Sequence, residues 1–323
     1  MYQSNYLAKS LRRASIGAEE SIFAYLEDGT EVSYGELFSN AEKMAKVLLS
    51  KGLTPGDRVA VQVGKSIQAV ELYLGTILAG GVYLPLNTGY TPVELAYFLD
   101  DASPRIFVCD PSLETKLISV AAKAQVQVLL TLTEQGRGGS LYECQQAQTD
   151  GFVAVDRNEN DLAAILYTSG TTGRSKGAML SHKALASNAM TLSKFWHFDP
   201  EDRLIHALPI FHIHGLFVAL NVTLCTGSGL YWLTKFNADS IVQLMAQATV
   251  LMGVPTFYVR LLASDKLTMA SVENMRLFIS GSAPLLSETH HLWSQRTGHA
   301  ILERYGMTET NMNASNPYIG ERR

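Results

Sequence analysis

Cysteine is scarce in this 323-residue chain: Cys109, Cys144 and Cys225 stand far apart, with no Cys-x-x-Cys pair and no Cys/His cluster. That spacing argues against a structural zinc site, and the odd, sparse count fits a reducing compartment better than a disulfide framework. Charge of one sign is also lacking. Lys plus Arg number 26 against 30 Asp plus Glu, a net charge of −4, which argues against a general nucleic-acid binder. No uninterrupted apolar run approaches the roughly 18 residues of a membrane-spanning helix. The N-terminal stretch carries Lys9, Arg12 and Arg13 ahead of its first acid, Glu19. It has the sign pattern of a transit peptide but lacks the continuous apolar segment of a signal peptide. It reads as an amphipathic helix with Tyr6, Leu7 and Leu11 on one side. No GxGxxG follows the first strands, which disfavours a dinucleotide-dependent oxidoreductase. No short solenoid-type repeat is present.

What the chain does have is globular composition, with 47% hydrophobic and 17% charged residues, and a length that suits two domains or one large α/β domain. Helix and strand patterns alternate from end to end. Ser33 and Glu36 are spaced as a capping box before the apolar series Leu37, Ala41, Met44, Ala45, Leu48, and Gly52 with Pro55 closes that helix. The strand Arg58–Val63 follows, then a helix over Ser66–Ala79 and the strand Val82–Leu86. Thr91-Pro92-Val93-Glu94 is a second capping box, with proline in the first helical turn. After it come the strand Arg105–Cys109, a helix over Pro111–Ala124 and the strand Val126–Leu130.

Residues 133–161 are polar and aperiodic, contain Gly136-Arg-Gly-Gly139, and read as a linker between a first α/β subdomain (1–132) and a second (162–323). Beyond it, strands are predicted at Leu162–Tyr167, Leu204–Ala207, Leu230–Leu233, Val250–Gly253, Leu277–Ser280 and Ala300–Glu303. Helices are predicted at Ser181–Trp196, Gly215–Cys225, Ala238–Ala246, Pro255–Ser264 and Ser287–Thr297. Such alternation implies parallel sheets covered by helices. All eight histidines, from His182 to His299, fall in the second half, a weak pointer to where the chemistry sits.

The strongest local signal is Tyr167-Thr-Ser-Gly-Thr-Thr-Gly-Arg-Ser-Lys-Gly177, between an apolar strand and the helix that starts near Ser181. Gly170, Gly173 and Gly177 let the backbone turn and approach a ligand. Successive N–H groups, with the hydroxyls of Thr168, Ser169, Thr171 and Thr172, suit a polyphosphate, and Lys176 adds positive charge. A Walker A loop needs GxxxxGK[ST], and here Lys176 is followed by Gly177.

This stretch resembles the phosphate loop of the adenylate-forming superfamily, which includes acyl-CoA synthetases, luciferases and peptide-synthetase adenylation domains. Glu303-Arg-Tyr-Gly-Met-Thr-Glu309 resembles the superfamily's YGxTE motif, and Ser280-Gly-Ser-Ala-Pro284 its adenine loop. The segments His206–Phe217, Met252–Arg260 and Met307–Asn313 resemble those of malonyl-CoA synthetases within it. The resemblance implies an α/β fold of two stacked, mostly parallel β-sheet subdomains flanked by helices. It implies an acid–CoA ligase that uses ATP, Mg²⁺ and coenzyme A: a carboxylate attacks the α-phosphate, pyrophosphate leaves, and the thiol of coenzyme A then expels AMP. A small carboxylic acid, malonate foremost with methylmalonate or another short acid as alternatives, would be the partner, in a cytoplasmic enzyme with no nucleic acid and no membrane span.

The roles the resemblance implies fall residue by residue. Thr168, Ser169, Gly170, Thr171, Thr172, Gly173 and Lys176 would hold the β- and γ-phosphates. Thr168 and Glu309 match the positions that hold Mg²⁺, both offering hard oxygen. Thr308 would contact the α-phosphate. Tyr305 would lie on the adenine face, with Gly281, Ser282 and Ala283 at its edge, and Glu303, Arg304, Gly306 and Met307 complete that motif. His212 matches the histidine beside the acyl carboxylate, with Phe211 in place of the common tyrosine. His212 and His214, two apart, would share one face of a strand and could ligate a metal only with a third ligand, which the sequence does not show; His206 reads as structural. Arg260 is the candidate for malonate's second carboxylate, helped by Ser282, with Met307 nearby. A surface salt bridge is the plain alternative for Arg260, and a solvated loop carboxylate for Glu309.

The resemblance covers the large N-terminal part of such enzymes. Full-length relatives continue with a ribose-binding aspartate, a hinge and a small domain carrying an adenylation lysine. A chain lacking these is expected to be impaired alone, with apolar surface exposed around Val254–Leu262 or Ile301. Two other classes use the same loop chemistry: a phosphotransferase or NTPase, which would yield ADP, and a non-catalytic nucleotide-binding module.

Overall fold

Two mostly parallel β-sheets, each flanked by helices, make up the structure, a computed structural model that describes residues 2–168 and 174–320. The chain divides into two units, Met1–Arg12 with Gly35–Ala186, and Arg13–Tyr34 with Ser187–Arg323.

The first unit holds a six-stranded sheet. In spatial order its strands are Val128–Thr131, Ile106–Cys109, Arg58–Gln62, Val82–Pro85, Leu162–Thr168 and Lys176–Ser181. The first five run parallel, and the last pairs antiparallel with its predecessor as a hairpin. The inner strands are continuous apolar runs because both faces are covered: every residue of Ile106–Cys109 and Val82–Pro85 is buried. The helices start where the sequence marks them. Thr91 and Glu94 form the capping box of Pro92–Ala102. Ser66 accepts from Ala69 N at the head of Ile67–Leu78, and Asp110 accepts from Ser112 N before Pro111–Lys123. Each cap contributes about 1 kcal/mol. The amphipathic first helix is Tyr6–Arg12, with Leu7 and Leu11 fully buried. Its Leu7 N donates to His182 Nδ1 at 3.3 Å.

The second unit holds an eight-stranded sheet in the order Asn311–Ser315, Ile301–Met307, Leu277–Ser280, Val250–Gly253, Arg203–His206, Gly229–Trp232, Ile22–Leu26 and Glu31–Ser33. Its two edge strands are antiparallel to their neighbours and all inner pairs are parallel. Trp293, fully buried, meets Tyr258 and Phe278 edge-on, with both centroids at 5.0 Å.

The expected boundaries 1–132, 133–161 and 162–323 differ from this division. Strand Leu162–Thr168, assigned from sequence to the second half, pairs with Val82–Pro85 in the first sheet. Within 133–161 the chain forms the helix Ser140–Gln146 and buries Leu141 and Ala154. Ile22–Leu26 belongs to the second sheet, paired with Gly229–Trp232. The expected exposure of Ile301 is also corrected, since the residue is fully buried; on the helix Pro255–Leu262, Val259 is exposed while Tyr258 and Leu261 are buried. None of the three cysteines forms a disulfide, and no helix among the described residues is long and apolar enough to cross a membrane.

Candidate active site

In the first unit, the helix Pro92–Ala102 fixes both flanks of the predicted phosphate loop. On the entering side, the Tyr167 hydroxyl donates to Asp101 Oδ2 at 2.5 Å, and its ring lies 4.5 Å from that of Phe98. On the leaving side, the Tyr97 hydroxyl donates to Ser175 O at 2.7 Å. Thr168 and Lys176 are cross-strand partners where the hairpin opens, Thr168 half-buried and Lys176 exposed. Ser169, Gly170, Thr171, Thr172 and Gly173 lie outside the described residues.

In the second unit, the carboxyl ends of the parallel strands finish level. Gly253 pairs with Ser280, and Ser280 with Glu303. Ligands of open α/β sheets bind at this end of the strands. The loop after Ser280 and the hairpin Ile301–Ser315 border a cavity of about 860 Å³, lined by Ser282, Ala283, Pro284, Glu303, Arg304, Tyr305, Gly306 and Ala314–Pro317. Two motifs that lie some twenty residues apart thus share one cavity. The Tyr258 hydroxyl donates to Ile279 O at 2.7 Å and ties the helix Pro255–Leu262 to the strand that carries the loop.

The later motif lies on a hairpin where sequence patterning predicts a strand ending at Glu303. Strand Ile301–Met307 runs through Tyr305 and Gly306, a bulge falls between those two, and a tight turn at 308–310 leads into Asn311–Ser315. Tyr305 is 60% exposed, so a ring face is open to a ligand. Thr308 and Glu309 occupy the turn, with Glu309 exposed. Met307 and these two lie beyond the cavity wall, as does Gly281, which underlies Arg304.

Arg304 is 7% exposed, and its Nε and Nη2 have no hydrogen-bond partner among the described residues. Burial lowers its pKa to about 10, against a small opposing effect of Tyr258. Its guanidinium lies flat against Gly281, where a β-carbon would overlap it. Ser280 Oγ at the same end of the sheet is also buried and unpartnered.

The histidines divide into two roles. His206 is buried, stacks on Trp232 with centroids 5.1 Å apart, and donates from Nε2 to Gly215 O at 2.9 Å. A β-carbon at Gly215 would run into the carbonyl of Pro209. The expectation that His212 and His214 share one face of a strand is corrected. The chain is helical here, with His214 opening a π-helical segment, His214–Leu220, and the α-helix Asn221–Thr226 following. His212 stays exposed against the Phe211 ring. His214 is buried, and desolvation, aided by Arg304 and His206, holds its imidazole well below its usual pKa. Its Nδ1 lies 3.4 Å from Ser282 Oγ, a contact no sequence signal foretold. No group of three metal-ligating side chains exists among the described residues.

Arg260 is exposed on the helix Pro255–Leu262, its guanidinium 4.1 Å above the Phe236 ring. It is not among the residues lining the cavity.

This chain matches the AMP-binding enzyme family over residues 10–323. The chain belongs to that family. Among its AMP-binding relatives, a malonate–CoA ligase of Arabidopsis thaliana is 31% identical over 99% of this chain and 60% of its own length. A long-chain-fatty-acid–CoA ligase of Bacillus subtilis is 27% identical over 88% of this chain and 56% of its own. The crystal structure of apo MatB from Rhodopseudomonas palustris superposes with a TM-score of 0.96 at 55% identity, covering 99% of this chain and 63% of that one. ATP-bound MatB gives 0.94 at 56%, covering 98% and 63%. The chain therefore spans about three fifths of the length of these AMP-binding relatives.

Proposed function

We propose that this chain carries the adenylate-forming site of a carboxylic acid–CoA ligase acting on malonate. The observation that supports it most is the cavity at the carboxyl end of the second sheet, where two motif segments meet around an open tyrosine face and a buried, unpartnered arginine. The similarity to malonate–CoA ligase and to MatB over nearly the whole chain points the same way.

In the reaction, a malonate oxygen attacks the α-phosphorus of ATP, the bond to pyrophosphate breaks, and malonyl-adenylate forms. The sulfur of coenzyme A then attacks the acyl carbon, AMP leaves, and the thiol proton passes to solvent. No enzyme nucleophile is needed, so the residues act by placement and charge. Lys176 and the loop from Thr168 hold the outer phosphates. Thr308 meets the α-phosphate, Tyr305 stacks on adenine, and the Gly281–Ala283 loop borders its edge. His212 lies beside the reacting carboxylate. Mg²⁺ supplies charge neutralisation on the phosphates when bound, and the hydroxyl of Thr168 and the carboxylate of Glu309 are hard oxygen donors of the kind it takes. The half-buried hydroxyl and the exposed carboxylate are both open to such a role.

The test is malonate-dependent release of pyrophosphate from ATP and Mg²⁺ in the presence of coenzyme A, with nucleotide products separated. It is run on this chain and on the chain joined to the remaining part of MatB. Pyrophosphate with AMP in either protein is the expected result. ADP with phosphate, or no dependence on malonate in both folded proteins, overturns the proposal.

A further inference from the structure

Lys176 is exposed, so the fold does not hold its ammonium group in place. What the fold can fix in advance is the backbone from which the side chain springs, and fixing it lowers the cost of ordering the lysine on a ligand. The helix Pro92–Ala102 does this from one side. Asp101 lies one turn beyond Tyr97 and Phe98, so the three share a face. Tyr97 holds two successive residues on the leaving side of the loop: its hydroxyl donates to Ser175 O at 2.7 Å, and the Arg174 guanidinium lies 5.7 Å from its ring centroid. Lys176 is the next residue. On the entering side, Asp101 accepts from the Tyr167 hydroxyl at 2.5 Å, and Thr168 is the next residue. Thr168 and Lys176 are cross-strand partners, and each thus stands one residue from a grip on the same helix. That helix is a firm base. Leu95, Phe98 and Leu99 are buried, its head carries the capping box, and Arg58 closes its tail, Nε donating to Ala102 O at 2.7 Å and Nη2 to Ser103 O at 2.6 Å.

We infer that Tyr97 and Asp101 are positioning residues for the outer phosphates of the nucleotide: they set the backbone at Lys176 and at Thr168, and Tyr97 acts through Lys176. The inference rests on the reading of the loop as the holder of those phosphates. Neither residue belongs to a motif that sequence spacing singles out, and neither touches the ligand. The Tyr97 hydroxyl is spent on Ser175 O, and the Asp101 carboxylate on Tyr167.

The experiment is calorimetric binding of ATP and of AMP, each with Mg²⁺, to the wild-type chain and to Y97F, K176A, their double variant and D101A. AMP lacks the outer phosphates, so a residue that only supported the fold would weaken both nucleotides or neither. Y97F keeps the ring beside Arg174 and loses one hydrogen bond. It is expected to weaken ATP about fivefold, the worth of that bond, and to leave AMP unchanged. K176A is expected to weaken ATP by at least as much, and adding Y97F to K176A should cost nothing further, because the tyrosine acts through the lysine. Should Y97F fail to fold, D101A carries the test, a change at an exposed side chain. It is expected to weaken ATP about threefold and to leave AMP unchanged. Unchanged ATP affinity in either variant, equal losses of ATP and AMP, or a Y97F loss that persists on top of K176A overturns the inference, while weakening of ATP by K176A keeps the loop reading in place. A wild-type chain that binds no ATP, or K176A binding ATP as the wild type does, removes the loop reading and the inference with it.

Discussion

The two ends of the second sheet treat an arginine in opposite ways. At the amino end, Arg276 stands just before strand Leu277–Ser280 and uses its whole guanidinium. Nε donates to Asp202 Oδ1 at 2.7 Å, Nη2 to Asp202 Oδ2 and to His197 O, and Nη1 to Trp196 O at 3.2 Å. Its charge also lies 5.4 Å from the Phe198 ring centroid. At the carboxyl end, Arg304 has none of this and faces a cavity. The same side chain in the same sheet is closed with bonds where it serves the fold and left open where it lines the cavity. The buried carboxylate of the first unit, Glu71, belongs with Arg276: Oε1 accepts from Asn40 Nδ2 at 3.0 Å and Oε2 from Gln145 Nε2 at 2.8 Å.

The contrast can be broken by removing the closed partner. Arg276→Ala leaves Asp202, itself buried, with an uncompensated charge. It should cost about 3–5 kcal/mol, seen as a lowered denaturation midpoint; an unchanged midpoint would end the comparison.

Glu71 sharpens it through pH. Burial raises its pKa to about 7, against hydrogen bonds from Gln145 and Asn40 that favour the ionised form. The fold thus holds this proton more tightly than the unfolded chain does. Its contribution is fully present below the unfolded pKa of about 4.5 and is lost as pH rises through about 7, a decline of about 3 kcal/mol. In Glu71→Gln the decline should vanish, because the amide does not ionise and Gln145 Oε1, unpartnered now, gains a donor. Denaturant titrations of both proteins between pH 4 and 8 measure the difference.

Smaller effects test the open end. Ser282 sits at φ +70, so Ser282→Gly should stabilise the chain by about 1 kcal/mol. The gain would appear in the same denaturant titrations and would mark a strained loop kept for its hydroxyl. Gly281→Ala places a methyl against the movable tip of Arg304. It should change stability by less than about 1 kcal/mol in those titrations. A large loss of stability would show that Arg304 is held as firmly as Arg276.

Much of the architecture was legible because parallel strands buried on both faces read as plain apolar runs: Val250–Gly253, Leu277–Ser280 and the helix Ser287–Thr297 begin and end where the pattern places them. What escaped depends on distant partners. Glu31–Ser33 is short, both it and Lys176–Ser181 are only partly buried, and they exist through pairing. The hairpin strand Asn311–Ser315 is polar, so no alternation betrayed it. At the site, motif spacing singled out residues 280–284 and 303–309 but said nothing of which were buried. Arg304 stood there as one motif member among several. Its position depends on the approach of Gly281, a contact between a strand and the loop that follows its neighbour. His214 was misplaced because the chain turns helical at this point, and the two-residue alternation that puts positions on one face holds only for an extended strand.

The pairing of Ile22–Leu26 with Gly229–Trp232 also has a consequence in time. Ala24 finds its partner Leu230 roughly 200 residues later, and a ribosome adding about 5–20 residues per second needs about 10–40 s to supply it. Through that interval the early strand leaves the exit tunnel with one side of its ladder unfilled, while the first unit's chain is still being made. Birth order and sheet order disagree in this molecule, and the strand made early is among the later ones to settle.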